Sequence, residues 1–301
     1  MKAALPLLLL TISTNLWSQP GRLDQMSVEQ KVAAGAGFHQ HRAEPIDGFL
    51  VLGNIYYVGA SDLASYLITT DEGHFLVDTG VSEMTSVIRE NIENLGFRLQ
   101  DVRYLLQSHA HFDHIQGHAV MQRLTGAQVL VMDDDADAMV AGRDLSPLGF
   151  EGWEPVAVDR RLSHGESVSL GSTTMVATKA PGHTPGCTTW TLETEDSGER
   201  VNVAIFGCNG PNNGVQLVGN PRFPSLVEDS RQGFENLQSL SPDLYLQGHI
   251  EQAFDGLEHL MRVQARPHPL LTQQPWQSFI AQRRAEFEAR VESELAANRS
   301  N

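Results

Sequence analysis

The residues best suited to chemistry are concentrated at residues 108–118, which read Ser-His-Ala-His-Phe-Asp-His-Ile-Gln-Gly-His. This segment follows a predicted strand, so His109 stands at the strand's carboxyl end. His109 and His111 are two residues apart, and at that spacing side chains point the same way in extended backbone. Two converging neutral imidazoles supply half of a tetrahedral zinc site. Asp113 and His114 follow where the chain turns towards the next helix, so they can face a second metal.

Two histidines further along the chain add to this cluster. His183 lies in the Pro-Gly-His-Thr-Pro-Gly loop at residues 181–186, between two predicted strands, and His249 follows a strand predicted at residues 243–247. Loops at strand ends gather ligands onto a rigid scaffold. Each histidine alone would be a weak signal. Together with the cluster they supply a third ligand for each of two metals.

The elements that must position these side chains are alternating strands and helices. Short runs of aliphatic, β-branched and aromatic residues predict strands, and apolar residues at helical spacing predict helices. The helix that follows the third strand is closed by Gly96. In the first half of the chain we expect strands at residues 49–59, 65–70, 74–78, 102–107 and 128–132, and helices at residues 81–95, 119–124 and 134–141.

The second half of the chain continues the mixture of strands and helices. We expect strands at residues 173–179, 188–193, 201–206 and 243–247, and helices at about residues 226–240 and 274–297. This arrangement suggests helices packed outside paired sheets, an α/β layered fold. No linker divides the chain, and residues 19–301 are predicted to form a single domain, long enough to bury a substantial core.

The first 18 residues predict a secretory signal peptide. Lys2 supplies a positive start, residues 3–12 are almost purely apolar, and Ser18 lies near a suitable cleavage point. The apolar run is too short to span a bilayer comfortably. A retained anchor is a lesser alternative, since no cysteine follows to carry a lipid. We therefore expect a periplasmic or secreted protein without membrane association after cleavage.

The charge of the chain restricts its partners. The formal net charge is −16, and removal of the signal peptide with Lys2 makes it more negative. Nucleic-acid binding depends largely on Lys and Arg that neutralise phosphates, so this composition argues against such a partner. We expect a monomer that acts on a small molecule.

These motifs resemble those of the metallo-β-lactamase-fold hydrolases, which carry His-x-His-x-Asp-His followed by two later histidines. The chain is similar in particular to the β-lactamases of subclass B3. Supporting markers extend over most of the mature chain: Gly-Asn-Ile-Tyr-Tyr-Val-Gly at residues 53–59, Leu-Val-Asp-Thr-Gly at 76–80, the loop at 181–186 and Gly-Asn-Pro-Arg-Phe-Pro at 219–224. The resemblance implies an αβ/βα sandwich with the metals at one edge of the sheets.

The resemblance also implies which residues hold two zinc ions. The first zinc would be bound by His109, His111 and His183. The second would be bound by Asp113, His114 and His249. Asp113 and His114 are also the predicted catalytic residues, because the second zinc would stabilise the departing nitrogen of the substrate. Iron or manganese is an alternative for such a mixed His and Asp site.

Other residues near the cluster receive lesser roles. The resemblance implies that Asp78 steadies the ligand loop, whereas without it a turn former at a strand end is about equally expected. His118 has no ligand counterpart and is expected either beside the ligands or exposed. The remaining histidines are expected to be ordinary ones: His39, His41, His74, His164, His259 and His268.

The resemblance favours hydrolysis of the β-lactam ring of antibiotics. Two zinc ions can share a water and lower its pKa towards 7, and the metal-bridging hydroxide would attack the lactam carbonyl without a covalent intermediate. Two zinc ions, one aspartate and one hydroxide leave a formal charge of about +2 at the site. That charge suits the carboxylate of a β-lactam substrate.

Other hydrolases of the same fold are the main alternatives, because fold alone does not determine substrate. Relatives that act on thioesters and lactones typically carry an aspartate that bridges both metals, in a Gly-Asp pair at a strand end. Here residues 205–209 read Ile-Phe-Gly-Cys-Asn, and that aspartate is absent. A lactonase or glyoxalase-like thioesterase therefore ranks second, and a non-catalytic zinc-binding protein is a distant third.

Two features after this strand leave alternatives open. Asn209, Asn212 or Asn213 could bind a substrate carboxylate where many family members use serine, although the same residues suit a turn. Cys187 and Cys208 would most simply form one disulfide in an oxidising compartment. Free thiols, or zinc binding by Cys208, are the alternatives.

Overall fold

The computed structural model describes residues 26–27, 30, 42–149, 152–208, 210–250 and 274–300. The predicted signal peptide, residues 1–18, lies outside these residues. So do Asn209 and four of the histidines without an assigned role, namely His39, His41, His259 and His268. Within the described residues, none of the helices is both long enough and apolar enough to cross a membrane.

The first sheet contains seven strands in chain order, β1 to β7. The first four pair antiparallel, whereas β4 to β7 pair in parallel. Parallel strands end at the same edge of a sheet, so the loops that follow β4 and β5 lie side by side. The strands are β1 (Phe49–Leu52), β2 (Ile55–Tyr57), β3 (Tyr66–Thr70), β4 (Gly73–Val77), β5 (Val102–Leu106), β6 (Gln128–Met132) and β7 (Arg160–Leu162).

The second sheet contains five strands in the order β12-β11-β10-β9-β8. Strands β8 to β11 form an antiparallel meander, and β12 pairs in parallel with β11. His183 lies in the loop between β9 and β10, and His249 follows β12. The strands are β8 (Glu166–Leu170), β9 (Thr173–Lys179), β10 (Thr188–Asp196), β11 (Glu199–Phe206) and β12 (Leu244–Gln247).

The helices cover the outer faces of the two sheets. Four lie on the first sheet: α1 (Met84–Asn94), α2 (Phe112–Ile115), α3 (His118–Thr125) and α4 (Asp133–Ala141). Two lie on the second sheet and pack against each other: α5 (Leu226–Gln238) and α6 (Trp276–Ser300). The order of layers is therefore helix, sheet, sheet, helix, which confirms the expected αβ/βα sandwich.

The alternation of side chains along the strands explains this layering. Leu105 packs against the helices of the first sheet, whereas Leu106 points between the two sheets. In β11, Ile205 points between the sheets, and Phe206 packs against α5 and α6. A strand buried on both faces reads as a continuous apolar run, as the carboxyl-terminal parts of these strands do, at Leu105–Leu106 and Val203–Phe206.

One local expectation was wrong, and three short elements were not expected. Residues 49–59 do not form one strand, because the turn at Gly53 (φ +54°) divides them into β1 and β2. The short strands β7 and β8 were not predicted, and neither was the one-turn helix α2. The predicted bounds of β6 and β9 agree with the structure, and most other predicted ends lie within a few residues of it.

Candidate metal centre

The segment after β5 brings four candidate metal-binding side chains to the edge of the first sheet. His111 has an extended backbone (φ −114°, ψ 153°), and its carbonyl accepts a hydrogen bond from the backbone N–H of His114 at 3.0 Å. The chain therefore passes from extended loop to helix α2 within this segment. All four side chains are buried: His109, His111, Asp113 and His114.

His109, His111 and His183 form the first histidine group. Their nitrogen atoms lie within 4.8 Å of one another. The carbonyl oxygen of Gly210 lies 3.1 Å from His183 Nδ1 and can only accept a hydrogen bond, so the proton of His183 is on Nδ1. Nε2 of His183 is therefore unprotonated and can bind a metal. Ser146 Oγ lies 2.9 Å from His111 Nε2, so Nδ1 of His111 is the nitrogen left for the group. Each of these two rings thus has one nitrogen available to bind a metal beside His109.

Asp113, His114 and His249 form the second group. The two imidazole Nε2 atoms are 3.2 Å apart, and Asp113 Oδ2 lies 3.4 Å from His249 Nε2 and 3.7 Å from His114 Nε2. Donors about 2.0–2.1 Å from a tetrahedral zinc ion are roughly 3.3–3.4 Å from one another. The three donor atoms therefore have the spacing and the chemical types that a zinc site requires.

Asp78 holds the segment that carries both groups. It follows β4 with a positive φ of 59°. Its Oδ1 accepts the backbone N–H of Ser108 at 2.6 Å, and its Oδ2 accepts the Ser108 hydroxyl at 2.7 Å. The same Oδ2 accepts Nδ1–H of His114 at 2.8 Å, so Nε2 of His114 is directed at the second group.

Asp62 and Arg42 are site residues that sequence reasoning missed. The Asp62 side chain is fully buried, and its Oδ2 lies 3.3 Å from His249 Nδ1 and 2.8 Å from Arg42 Nη1. This contact turns Nε2 of His249 towards Asp113. No local signal distinguishes Asp62 from an ordinary turn aspartate, since it is 187 residues from His249 in the chain.

Burial and mutual charge shift the pKa values of the site in the metal-free protein. Burial, followed by the neighbouring imidazoles, holds the pKa of His109 and of His183 well below the usual histidine value. Burial alone would raise the pKa of Asp113, but His114 and His249 outweigh it and lower that pKa. Burial opposes the charged form of His249, yet hydrogen bonds to Asp113 and Asp62 raise its pKa to about 9. His109 and His183 are therefore neutral and Asp113 ionised, as metal ligands need to be, whereas His249 must lose a proton before it can bind a metal.

Among the described residues, three other histidines lie outside both groups. His118 is fully buried with Nδ1 2.7 Å from Thr79 Oγ1, so the expectation that it could be exposed was wrong. His74 packs edge-on against Phe97, and His164 accepts the backbone N–H of Lys179. The last two behave as the ordinary histidines that were expected.

Cys187 and Cys208 form a disulfide, as expected, which contradicts the alternatives of free thiols and of zinc binding by Cys208. Cys187 ends the loop that carries His183, and Cys208 follows β11. The disulfide therefore fixes the His183 loop to the neighbouring strand, and the position after β11 offers no carboxylate to the metal centre.

A cavity of about 550 Å³ opens beside His183. Its wall includes Asn212 and Asn213, two of the three asparagines expected to contact substrate, and Arg283 and Arg290 of helix α6. Arg290 donates to the carbonyl groups of Pro211 and Asn212 at 2.7 and 3.0 Å, and so holds this loop in place. Asn209, the third asparagine, lies outside the described residues.

Family membership follows from a match over most of this architecture. The model of the metallo-beta-lactamase superfamily matches residues 59–249. The chain belongs to that superfamily, which confirms the resemblance seen in its motifs.

Among solved structures, the chain is similar to metallo-beta-lactamases of this superfamily. A native metallo-beta-lactamase from Legionella gormanii is 33% identical with a TM-score of 0.78, and the match covers 84% of this chain and 98% of that one. A subclass B3 metallo-beta-lactamase of Bradyrhizobium japonicum is 30% identical with a TM-score of 0.74, covering 86% and 98%.

A curated relative points to a different substrate. An N-acyl homoserine lactonase of Bacillus thuringiensis is 26% identical over 157 residues, which are 44% of this chain and 59% of the lactonase. The chain thus spans less than two thirds of the length of that relative.

Proposed function

We propose that this protein is a dizinc β-lactamase, exported from the cytoplasm and active as a monomer on a small-molecule β-lactam. The observation that carries the proposal is the pair of donor groups, each with three buried or half-buried side chains at metal-binding distances. Three protein ligands per ion leave a coordination position open, which is typical of catalytic zinc. The resemblance to solved metallo-beta-lactamases supports the substrate class.

The donor set fits zinc. Five imidazoles and one carboxylate are ligands of the kind that zinc prefers. The lowered pKa values of His109 and His183 keep these rings neutral and ready to bind it, whereas His249, whose pKa is raised to about 9, would release a proton on binding. His109, His111 and His183 would hold one ion, and Asp113, His114 and His249 the other. Two zinc ions bound there would supply a water of lowered pKa and would polarise a substrate carbonyl.

The residues around the metal groups would orient the histidine ligands and bind the substrate. Asp78 and Asp62 each accept a hydrogen bond from the remote nitrogen of a histidine and so direct its other nitrogen inwards. The cavity beside His183 presents the Arg283 guanidinium, which Glu286 contacts at 3.0 Å, and the exposed amide of Asn213. These donors would bind the carboxylate that β-lactams carry, by charge-assisted hydrogen bonds.

A lactonase is the second candidate, because a curated relative with that activity matches part of the chain. Against it stands the position after β11. A lactonase of this fold would be expected to place a metal-bridging aspartate there, and this chain places Cys208, which is bonded to Cys187. A β-lactam remains the preferred substrate for that reason.

Export is part of the proposal. The disulfide supports an oxidising compartment, where such bonds persist. Residues 1–18 have the pattern of a signal peptide. Mass spectrometry of the secreted or periplasmic protein would give a mature chain that begins near residue 19, and a full-length chain retained in the cytoplasm would contradict export.

The test is hydrolysis of a panel by the purified protein loaded with zinc. The panel contains a chromogenic cephalosporin, a carbapenem, an acyl-homoserine lactone and a glutathione thioester, each with and without chelator. We expect chelator-sensitive opening of the β-lactams and little action on the others. His109→Ala and His249→Ala should abolish it, whereas His164→Ala, outside both groups, should not.

Two outcomes would contradict the proposal. Rapid turnover of the lactone or thioester without action on β-lactams would keep the metal centre and overturn the substrate. Metal analysis that finds no zinc, with activity indifferent to chelator, would overturn the metal centre itself.

A further inference from the structure

Asp135 is a buried carboxylate that the proposed reaction does not use. It is the third residue of helix α4, and only 1% of its surface is exposed. Its neighbours in the same helical turn are solvent-facing, with Asp133 paired to Arg161 and Asp134 paired to Lys179. Burial of a charge is costly unless hydrogen bonds compensate it, so the contacts of Asp135 show why it is there.

The carboxylate of Asp135 accepts three hydrogen bonds from two loops. Its Oδ2 accepts the backbone N–H of Ala110 at 2.9 Å and the hydroxyl of Thr184 at 2.7 Å. Its Oδ1 accepts the backbone N–H of Gly186 at 2.7 Å. None of these donors belongs to helix α4, so the side chain serves the loops rather than its own helix.

Those donors lie directly beside the first histidine group. Ala110 separates His109 from His111, and Thr184 follows His183. One carboxylate thus joins the two segments that carry all three imidazoles. A backbone hydrogen bond from Thr188 N to Ser108 O, at 2.7 Å, connects the same segments further from the rings.

The backbone at Gly186 lies very close to Asp135. A Cβ atom on residue 186 would lie 2.6 Å from the backbone nitrogen of Asp135 and 2.7 Å from its Cγ. No side chain larger than hydrogen fits there without movement of one segment. The glycine therefore allows the Gly186 N–H to reach the carboxylate.

We propose that Asp135 is a positioning residue that fixes the His183 loop against the His109–His111 segment and so sets the spacing of the first histidine group. The inference rests on the proposed function, because it assigns that group to a zinc ion. Asp135 touches none of the three rings, so its effect reaches the metal through the backbone of both loops.

Asp135→Asn tests this role with little change in volume. Ala110 and Gly186 donate to different oxygens of the carboxylate, so an amide, with one oxygen and one NH₂ group, can accept from only one of them in this arrangement. Asp134→Asn is the matched control, since Asp134 lies in the same helical turn but is exposed and pairs with Lys179 of β9. Thr184→Val removes one hydrogen bond while leaving the carboxylate in place, and Thr184→Ser restores the hydroxyl.

Zinc titration against a chromogenic chelator measures each group separately. In the His249→Ala background, which keeps the first group, we expect Asp135→Asn to weaken zinc binding by about 10–100-fold. This is the usual effect of removing a hydrogen-bonding residue that supports the metal ligands. In the His183→Ala background, which keeps the second group, the change should stay below about threefold. Asp134→Asn and Thr184→Ser should bind as the parent does, and Thr184→Val should bind more weakly.

Amide hydrogen exchange in the metal-free protein gives a second readout. In Asp135→Asn we expect faster exchange at whichever of Ala110 and Gly186 loses its acceptor, and in Asp134→Asn we expect no change at either residue. Equal weakening of both groups, or unchanged zinc binding and exchange, would overturn the positioning role. Absence of zinc from the wild-type protein would instead overturn the proposed function on which the inference rests.

Discussion

The buried imidazole of His118 makes the stability of the metal-free protein depend on pH. Burial lowers its pKa to about 4, whereas a histidine in an unfolded chain titrates near 6.5. As the pH falls, the unfolded chain therefore binds the proton first, and stability decreases. The contribution is fully present above about pH 6.5 and is lost as the pH falls towards 4, about 3 kcal/mol in total.

Urea unfolding at pH 7 and pH 5 checks this prediction. Of the total, about 2 kcal/mol should be lost between these two values. His118→Gln keeps a polar side chain near Thr79 but cannot titrate, so its decrease over the same interval should be smaller by that amount. An identical decrease in the variant and the wild type would show that His118 is not responsible.

Asp62 is expected to support zinc binding at the second group through its contact with His249. Asp62→Ala removes the acceptor for His249 Nδ1 and leaves Arg42 close to that ring. We expect zinc affinity at the second group to fall about 10–100-fold, with the first group unaffected. Titration in the His183→Ala background measures this, with Asp71→Ala, an exposed turn residue, as the control. A loss at the first group instead would contradict the assignment.

The cluster of candidate metal ligands could be located from sequence, but most of the partners of these side chains could not. His109, His111, Asp113 and His114 lie in one short pattern that few other roles explain. Asp62 reaches its histidine only through the fold. Asp135 was accessible in principle, because it shares a helical face with the buried Ala138 and Met139.

At the level of elements, the disulfide joins the β9–β10 loop to the end of β11. The two cysteines are 21 residues apart, and a loop of that size corresponds to about 3 kcal/mol of stabilisation through the unfolded chain. We expect a double variant, Cys187→Ala with Cys208→Ala, to lose about that free energy of unfolding.

Urea unfolding of the zinc-free protein without reductant measures the loss. Wild-type protein with reductant should approach the double variant, because both lack the cross-link. A midpoint unchanged by either treatment would show that the bond contributes little to stability.

The strands that were not predicted lack the usual apolar signal. Strand β7 reads Arg-Arg-Leu and β8 reads Glu-Ser-Val-Ser-Leu, and most of their residues are exposed or partly exposed. In contrast, β6 and β9 carry buried aliphatic residues and were predicted with the correct bounds. Sequence patterns thus located the elements that form the core and missed those at the sheet edges.

In the whole molecule, each candidate metal group contains side chains from both sheets. Each group combines donors from the loop after β5 with a histidine from the second sheet. Zinc should therefore stabilise the entire fold, by about 4 kcal/mol per site at a thousand-fold excess over the dissociation constant. Thermal unfolding with zinc and with chelator measures this effect.

Single-site variants divide the stabilisation by zinc into two parts. His183→Ala and His249→Ala should each lose the stabilisation by one of the two zinc ions, whereas His164→Ala should keep the stabilisation by both. A melting temperature that chelator does not change in the wild type would contradict a structural link through the metals.

The distance along the chain between the donors implies an order of assembly during synthesis. His114 and His249 are 135 residues apart, and β12, which precedes His249, is the last strand described. The first group is complete once β10 has left the ribosome, whereas the second must wait for β12. Because contacts between distant residues form slowly, a newly made chain should gain a place for one zinc ion before it gains a second. Refolding in the presence of zinc should then show two phases of uptake, and the slower one should be absent from His249→Ala.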